Sequence, residues 1–279
     1  MQQLFKDISY NTSKLITSSY STSFSKAVSY FEPDIRNAIY SIYGFVRLSD
    51  EIVDSFHEYN KAKLIELFER DYYEAYDNRI SLNPALNSFQ ETVRKYNIPD
   101  DLIKAFLKSM KADLVKSVYI SKNETDEYVY GSAEVVGLMC LKVFANGDSL
   151  LYEELTRPAR RLGAAFQKVN FLRDIKNDIE ILNRHYFHNT LGKEFDESVK
   201  KEIVNEIRLD FSSSFEGIRK LPEDSKVGVL IAYYYFKALL RKIEKTPARK
   251  QFEQRIRVHD FMKILILGRA LLTTKLKLI

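Results

Sequence analysis

A chain of 279 residues with 45% hydrophobic and 29% charged side chains can bury a full core, as one large domain or two smaller ones. Its 43 lysines and arginines against 38 aspartates and glutamates leave a net charge of +5. That balance suits anionic substrates or a membrane surface and does not call for nucleic acid, while the single cysteine, Cys140, excludes an internal disulfide and fits a reducing compartment.

The opening MQQLFKDISY is interrupted by Lys6 and Asp7 and does not read as a signal peptide, so a cytoplasmic location is expected. No stretch approaches the roughly eighteen apolar residues of a membrane span. A 3.6-residue period then predicts helices near 34–57, 60–78, 84–96, 100–118, 126–146, 149–182, 195–219, 225–245 and 256–274. Pro33, Pro84, Pro99, Pro222 and Pro247 fall at helix starts or in connections, where proline is tolerated. There is no β-run bounded by turn residues, no repeat and no low-complexity linker. The expectation is one all-α domain over 1–279.

Two stretches of helical period carry more polarity than packing requires. In IYGFVRLSDEIVD, 42–54, Tyr43, Arg47, Asp50 and Asp54 fall within about 60° of one face, with Glu51 beside them. Asp50 and Asp54 stand one turn apart, where like charges repel. In QKVNFLRDIKND, 167–178, Gln167, Asn170, Asp174 and Asp178 share a stripe about 80° wide, flanked by Arg173. Either stripe alone reads as well as a solvated face. Both, however, are set among apolar neighbours such as Phe45, Val46, Ile52, Val169, Leu172 and Ile175. Two such pairs on facing helices make a row of oxygen ligands that suits Mg²⁺, a cation that shares itself with substrate phosphates. Zinc is less well served: among four histidines only His185 and His188 have ligand-like spacing, with no cysteine nearby.

These stretches resemble the signature motifs of the squalene and phytoene synthase family, the head-to-head prenyl synthases. Arg47, Asp50, Glu51 and Asp54 match R-x-x-D-[DE]-x-x-D; Gln167, Asn170, Arg173, Asp174 and Asp178 match Q-x-x-N-x-x-R-D-x-x-x-D. Looser similarity runs from about residue 17 to 270. TSSYSTSFSK, 17–26, resembles a segment whose hydroxyls contact diphosphate, here Ser19, Ser21 and Ser23, although a helix cap serves equally. Relatives often carry a basic residue where this chain has Thr22, with Lys26 a substitute. YVYGSAEVVG, 128–137, resembles the helix bearing a tyrosine near the reacting carbons, here Tyr130. Its Gly131, Ala133 and Gly137 either admit a prenyl chain or mark a close helix crossing. NRHYF, 183–187, offers Arg184 and Tyr186, and QRIRV offers Arg255 and Arg257 as phosphate contacts or as a solvated turn.

The resemblance implies the isoprenoid synthase fold, a helical bundle around a central apolar cavity. It implies several Mg²⁺ ions held by Asp50, Asp54, Asn170, Asp174 and Asp178, with Arg47 and Arg173 on the leaving diphosphate. Two allylic diphosphates join through a cyclopropylcarbinyl diphosphate to a 1–1′ linked hydrocarbon. Tyr130 faces the cations. Chain length and the pattern RLSDEIVD look most like bacterial phytoene synthases, so geranylgeranyl diphosphate as substrate, without NADPH, is expected. Alternatives are squalene or dehydrosqualene formation from farnesyl diphosphate, and a non-catalytic helical assembly factor. Lipid substrate and product imply peripheral membrane contact, with MKILILGRALLTTKLKLI, 262–279, the candidate patch, although its first half reads better as core helix. The oligomeric state is left open.

Overall fold

The computed structural model describes residues 2–187, 190, 195–253 and 255–276. Among them there is no strand, only an isolated bridge between Val118 and His185. His188, half of the candidate zinc pair, lies outside the described residues.

Helices α3 (Pro33–Asp54), α4 (Lys61–Asn78), α5 (Pro84–Lys95) and α6 (Asp100–Ala112) follow the predicted periodicity. Asn60 and Asn83 cap α4 and α5, their side chains accepting from Lys63 N and Ala85 N. Pro33 and Pro84 stand in the first turns of α3 and α5, where a missing N–H costs nothing. The predicted 100–118 helix stops at Ala112; residues 113–121 instead form a loop, pinned where Tyr119 N donates to His185 O.

Helix α7 (Lys122–Val129) passes through a π turn (Tyr130–Glu134) into α8 (Val135–Ala145). The continuous Lys122–Ala145 helix is long and apolar enough to cross a membrane, which the sequence reading did not anticipate. It is instead a packed helix. Gly131 lies so close to α6 that an added Cβ would meet Ala105 O at 2.9 Å. Helix α9 (Ser149–Glu180) crosses it as closely: a Cβ on Gly163 would meet Ala133 O at 2.6 Å.

The chain continues through α10 (Glu197–Arg219), α11 (Glu223–Lys245), a short α12 (Ala248–Gln251) and α13 (Asp260–Lys275). Helix α13 packs on α11, yet only Ile266 and Ala270 of it are buried.

The N-terminus differs from expectation. Helices α1 (Gln2–Tyr20) and α2 (Thr22–Val28) were not predicted. The buried residues of α1 are Ser9, Ser13 and Thr17, so the helical period runs through hydroxyls rather than hydrocarbon. Burial is possible because each is satisfied. Ser9 and Thr17 donate back to Phe5 O and Ser13 O, and Ser13 bonds Ser88 of α5 at 2.8 Å.

Candidate active site

Helices α2, α3, α8, α9, α10 and α11 all contribute walls to one cavity of about 1060 Å³. Asp50 and Ile39 of α3, eleven residues apart, both line it, as do Asp174 and Leu155 of α9. At 1.5 Å per residue the cavity therefore extends about 16 Å along α3 and about 28 Å along α9. Its aspartates lie toward the C-terminal ends of both helices, and its other end, with Phe31, Phe144, Leu155 and Ile218, is apolar. Neither α3 nor α9 has a basic residue in its last turn. Carboxylates thus sit where helix dipoles are already negative, an arrangement that calls for cations.

Among the described residues, the cations that pair with these aspartates are arginines. Arg47 Nη1 donates to Asp50 at 3.4 Å and pairs more closely with Glu51, while its guanidinium lies 4.2 Å over the Tyr20 ring. Arg184 donates to Asp54 at 2.6 Å, to Tyr186 Oη at 3.2 Å and to the carbonyl of Asp113 at 3.3 Å. Asp174 receives Arg173 Nε at 3.1 Å and Arg255 Nε at 2.7 Å. Asp178 makes no ion pair among the described residues.

These surroundings set the carboxylates apart electrostatically. Burial, with Asp54 close by, raises Asp50 to about 7. Burial and the neighbouring Asp174 raise Asp178 to about 8. Burial also works against ionisation of Asp174, but its two arginines outweigh it and hold that carboxyl below its usual range. For Arg184 burial opposes the charge, and Tyr186, Asp113 and Asp54 more than offset it.

As they stand, no three His, Cys, Asp or Glu side chains among the described residues are arranged to hold a metal ion. The donor set nevertheless fits a hard cation. Four carboxylates and Asn170 face one space, and Asn170 Oδ1 is buried without a hydrogen-bond partner. An oxygen acceptor in that state is available to a ligated ion.

The structure brings most of the candidates together. Gln167, Asn170, Arg47, Arg173, Arg184, Tyr186, Arg255, Ser21 and Ser23 all line the cavity with the four aspartates. Ser21 also caps α2, accepting from Phe24 N. Ser19 does not join them: it is exposed at the end of α1. Tyr130 is likewise out of place. It is absent from the lining, and Arg160 lies 5.0 Å over its ring. Of the two tyrosines in this segment, the one that lines the cavity is Tyr128, two positions earlier and so about 200° away around the helix.

Tyr128 introduces a residue that sequence reasoning missed. Its hydroxyl donates to Asp113 Oδ2 at 2.7 Å, and its ring stacks 5.1 Å from Tyr186. Asp113 also lines the cavity; burial raises it to about 7, and its Oδ1 is buried without a partner. In the sequence it is a lone acid in KADLV, with no second carboxylate at helical spacing to mark it.

The sequence matches the family model described as squalene/phytoene synthase over residues 17–261. The chain belongs to the squalene/phytoene synthase family. Members of that family are prenyltransferases. Similar proteins include phytoene synthase 2, chloroplastic, of Oryza sativa subsp. japonica, 27% identical over 90% of this chain and 67% of the relative. The 15-cis-phytoene synthase of Pantoea ananas is 24% identical over 84% and 82%. The 4,4'-diapophytoene synthase of Staphylococcus haemolyticus is 27% identical over 67% and 65%. The chain spans about two thirds of the length of the rice relative. Among solved structures, a dehydrosqualene synthase superposes with a TM-score of 0.83 at 19% identity, covering 97% of this chain and 98% of that one. The squalene synthase of Alicyclobacillus acidocaldarius gives 0.74 at 20%, covering 89% and 95%. The fold is the isoprenoid synthase fold.

Proposed function

We propose that this chain condenses two prenyl diphosphates head to head, taking two geranylgeranyl diphosphates to phytoene. The observation that carries the reading is one cavity with two aspartate pairs and Arg47, Arg173, Arg184 and Arg255 at one end and hydrocarbon walls at the other. Mg²⁺ held by Asp50, Asp54, Asn170, Asp174 and Asp178 would supply Lewis-acid polarisation of the leaving diphosphate.

The protein groups around that site have separate tasks. Arg47, Arg173 and Arg184 give charge-assisted hydrogen bonds to diphosphate oxygens, with Arg255, Gln167, Ser21 and Ser23 around them. The aromatic face of Tyr128, fixed by Asp113 and Tyr186, stabilises an allylic cation without capturing it. The apolar walls exclude water, which would quench each cation as an alcohol. Loss of a proton ends the reaction in this reading, so NADPH is not consumed. Because substrate and product are lipids, peripheral contact with a membrane belongs to the same reading.

The cavity volume, at the upper end of the usual range for ligand pockets, supports the longer substrate. A second reading takes two farnesyl diphosphates to a C30 hydrocarbon; similarity to 4,4'-diapophytoene synthase favours it. Incubation with either diphosphate, with and without Mg²⁺, distinguishes them by release of inorganic diphosphate. Faster Mg²⁺-dependent release from the geranylgeranyl substrate supports the proposal. Preference for farnesyl diphosphate moves the enzyme to the second reading, and no release from either overturns both.

A further inference from the structure

Helix α13 is amphipathic in the wrong sense for a core helix. Its buried residues are Ile266 and Ala270, while Phe261 (71% exposed), Ile264 (66%) and Leu272 (60%) face outward, with Met262, Leu265 and Leu276 also exposed. At 100° per residue Phe261, Leu265, Leu272 and Leu276 fall within about 60° of one another, opposite the packed side. Isolated exposed leucines are ordinary, but a contiguous apolar face marks an interaction surface.

The charges around this face choose among partners. From Phe261 to Ile279 the sequence contains Lys263, Arg269, Lys275 and Lys277 and no aspartate or glutamate. Arg269 and Lys275 are exposed and border the apolar face on either side. A helix with a hydrocarbon face edged by cations lies in the plane of an anionic lipid surface. A second copy of the same face would instead bring like charges together. The position of the helix points the same way: His259, Asp260 and Lys263, at its start, line the cavity. The first turn of α13 thus links the apolar face to the space where the proposed reaction takes place.

We propose that α13 seats the protein on an anionic bilayer, its outer apolar face in the headgroup boundary and its first turn beside the cavity. The role of this contact, passing a water-insoluble chain between bilayer and cavity, rests on the prenyltransferase reading; the contact itself does not.

The test is flotation of the substrate-free protein with vesicles, one set of phosphatidylcholine with phosphatidylglycerol and one of phosphatidylcholine alone. The natural sequence should float with the anionic vesicles, less with the neutral ones, and less as salt rises. Leu265→Glu/Leu272→Glu, at two exposed positions, should lose at least about tenfold in vesicle affinity with an unchanged melting temperature. Sedimentation without vesicles, run in parallel, should show no self-association that the double substitution abolishes. Absence of flotation, equal flotation of both proteins, or such self-association would overturn the proposal. Turnover of detergent-dispersed prenyl diphosphates, measured separately, reports on the enzymatic reading whatever the vesicles show.

Discussion

Cation binding to the aspartate site should be strongly pH-dependent, and the structure gives the direction and the range. Burial and like charge raise Asp50 to about 7 and Asp178 to about 8. Near about pH 6 both carboxyls hold protons that a divalent cation must displace, and each displaced proton steepens the dependence by up to tenfold per pH unit. Apparent Mg²⁺ affinity should therefore rise by up to about 100-fold per unit below pH 7, then level off above about pH 8. The stability of the cation-free protein runs the opposite way. Because the folded pKa values lie above the ordinary value of 3.8, these groups stabilise the fold at low pH. That contribution disappears as pH rises through 7 and then 8. Mg²⁺ should accordingly raise the melting temperature more at about pH 8.5 than at about pH 6. Titration calorimetry with Mg²⁺ alone, in two buffers of different ionisation enthalpy, measures affinity and proton release together. One to two protons released near about pH 7 is the expected result. Binding that is equally tight across this range, with no proton released, would refute the reasoning.

Five substitutions test the site further. Asp50→Asn or Asp174→Asn should lower turnover by at least about 10²-fold at saturating Mg²⁺, with circular dichroism showing nearly unchanged helical content. Tyr128→Phe loses the hydroxyl held by Asp113 and should cost roughly tenfold in kcat, whereas Tyr130→Phe, outside the cavity, should remain within about twofold; kinetics of the pair compare the two tyrosines directly. At Gly228 an added Cβ would lie 2.2 Å from the ring of Phe31. Gly228→Ala should therefore destabilise the protein by about 1–3 kcal/mol in denaturant unfolding. By pushing that ring into the cavity it should also shift preference toward the shorter prenyl diphosphate.

Much of this arrangement was legible in the sequence because carboxylates at helical spacing among apolar residues identify themselves. Asp50 with Asp54, and Asp174 with Asp178, needed no tertiary information beyond the expectation that their helices face one another. Arg184 and Tyr186 came only from resemblance, since they sit in a loop whose path depends on the Val118–His185 bridge. Helix α1 was hidden for a different reason. Its inward face is Ser9, Ser13 and Thr17, so a search for hydrocarbon period passes over it. Asp113 was invisible because its partner, Tyr128, is fifteen positions away and meets it only through the fold. The choice of Tyr130 over Tyr128 turned on helical phase, which the similarity of YVYG to a motif could not resolve. An α-to-π transition begins at Tyr130 itself, and such widened turns recur at functional sites.

The most direct measurement of the central claim is the mass of the hydrocarbon made from geranylgeranyl diphosphate and Mg²⁺ by the purified protein. Parallel incubations should contain farnesyl diphosphate, and each should be run with and without NADPH. A C40 product formed from geranylgeranyl diphosphate without NADPH is the predicted result. An exclusive C30 product, or a strict requirement for NADPH, would contradict it.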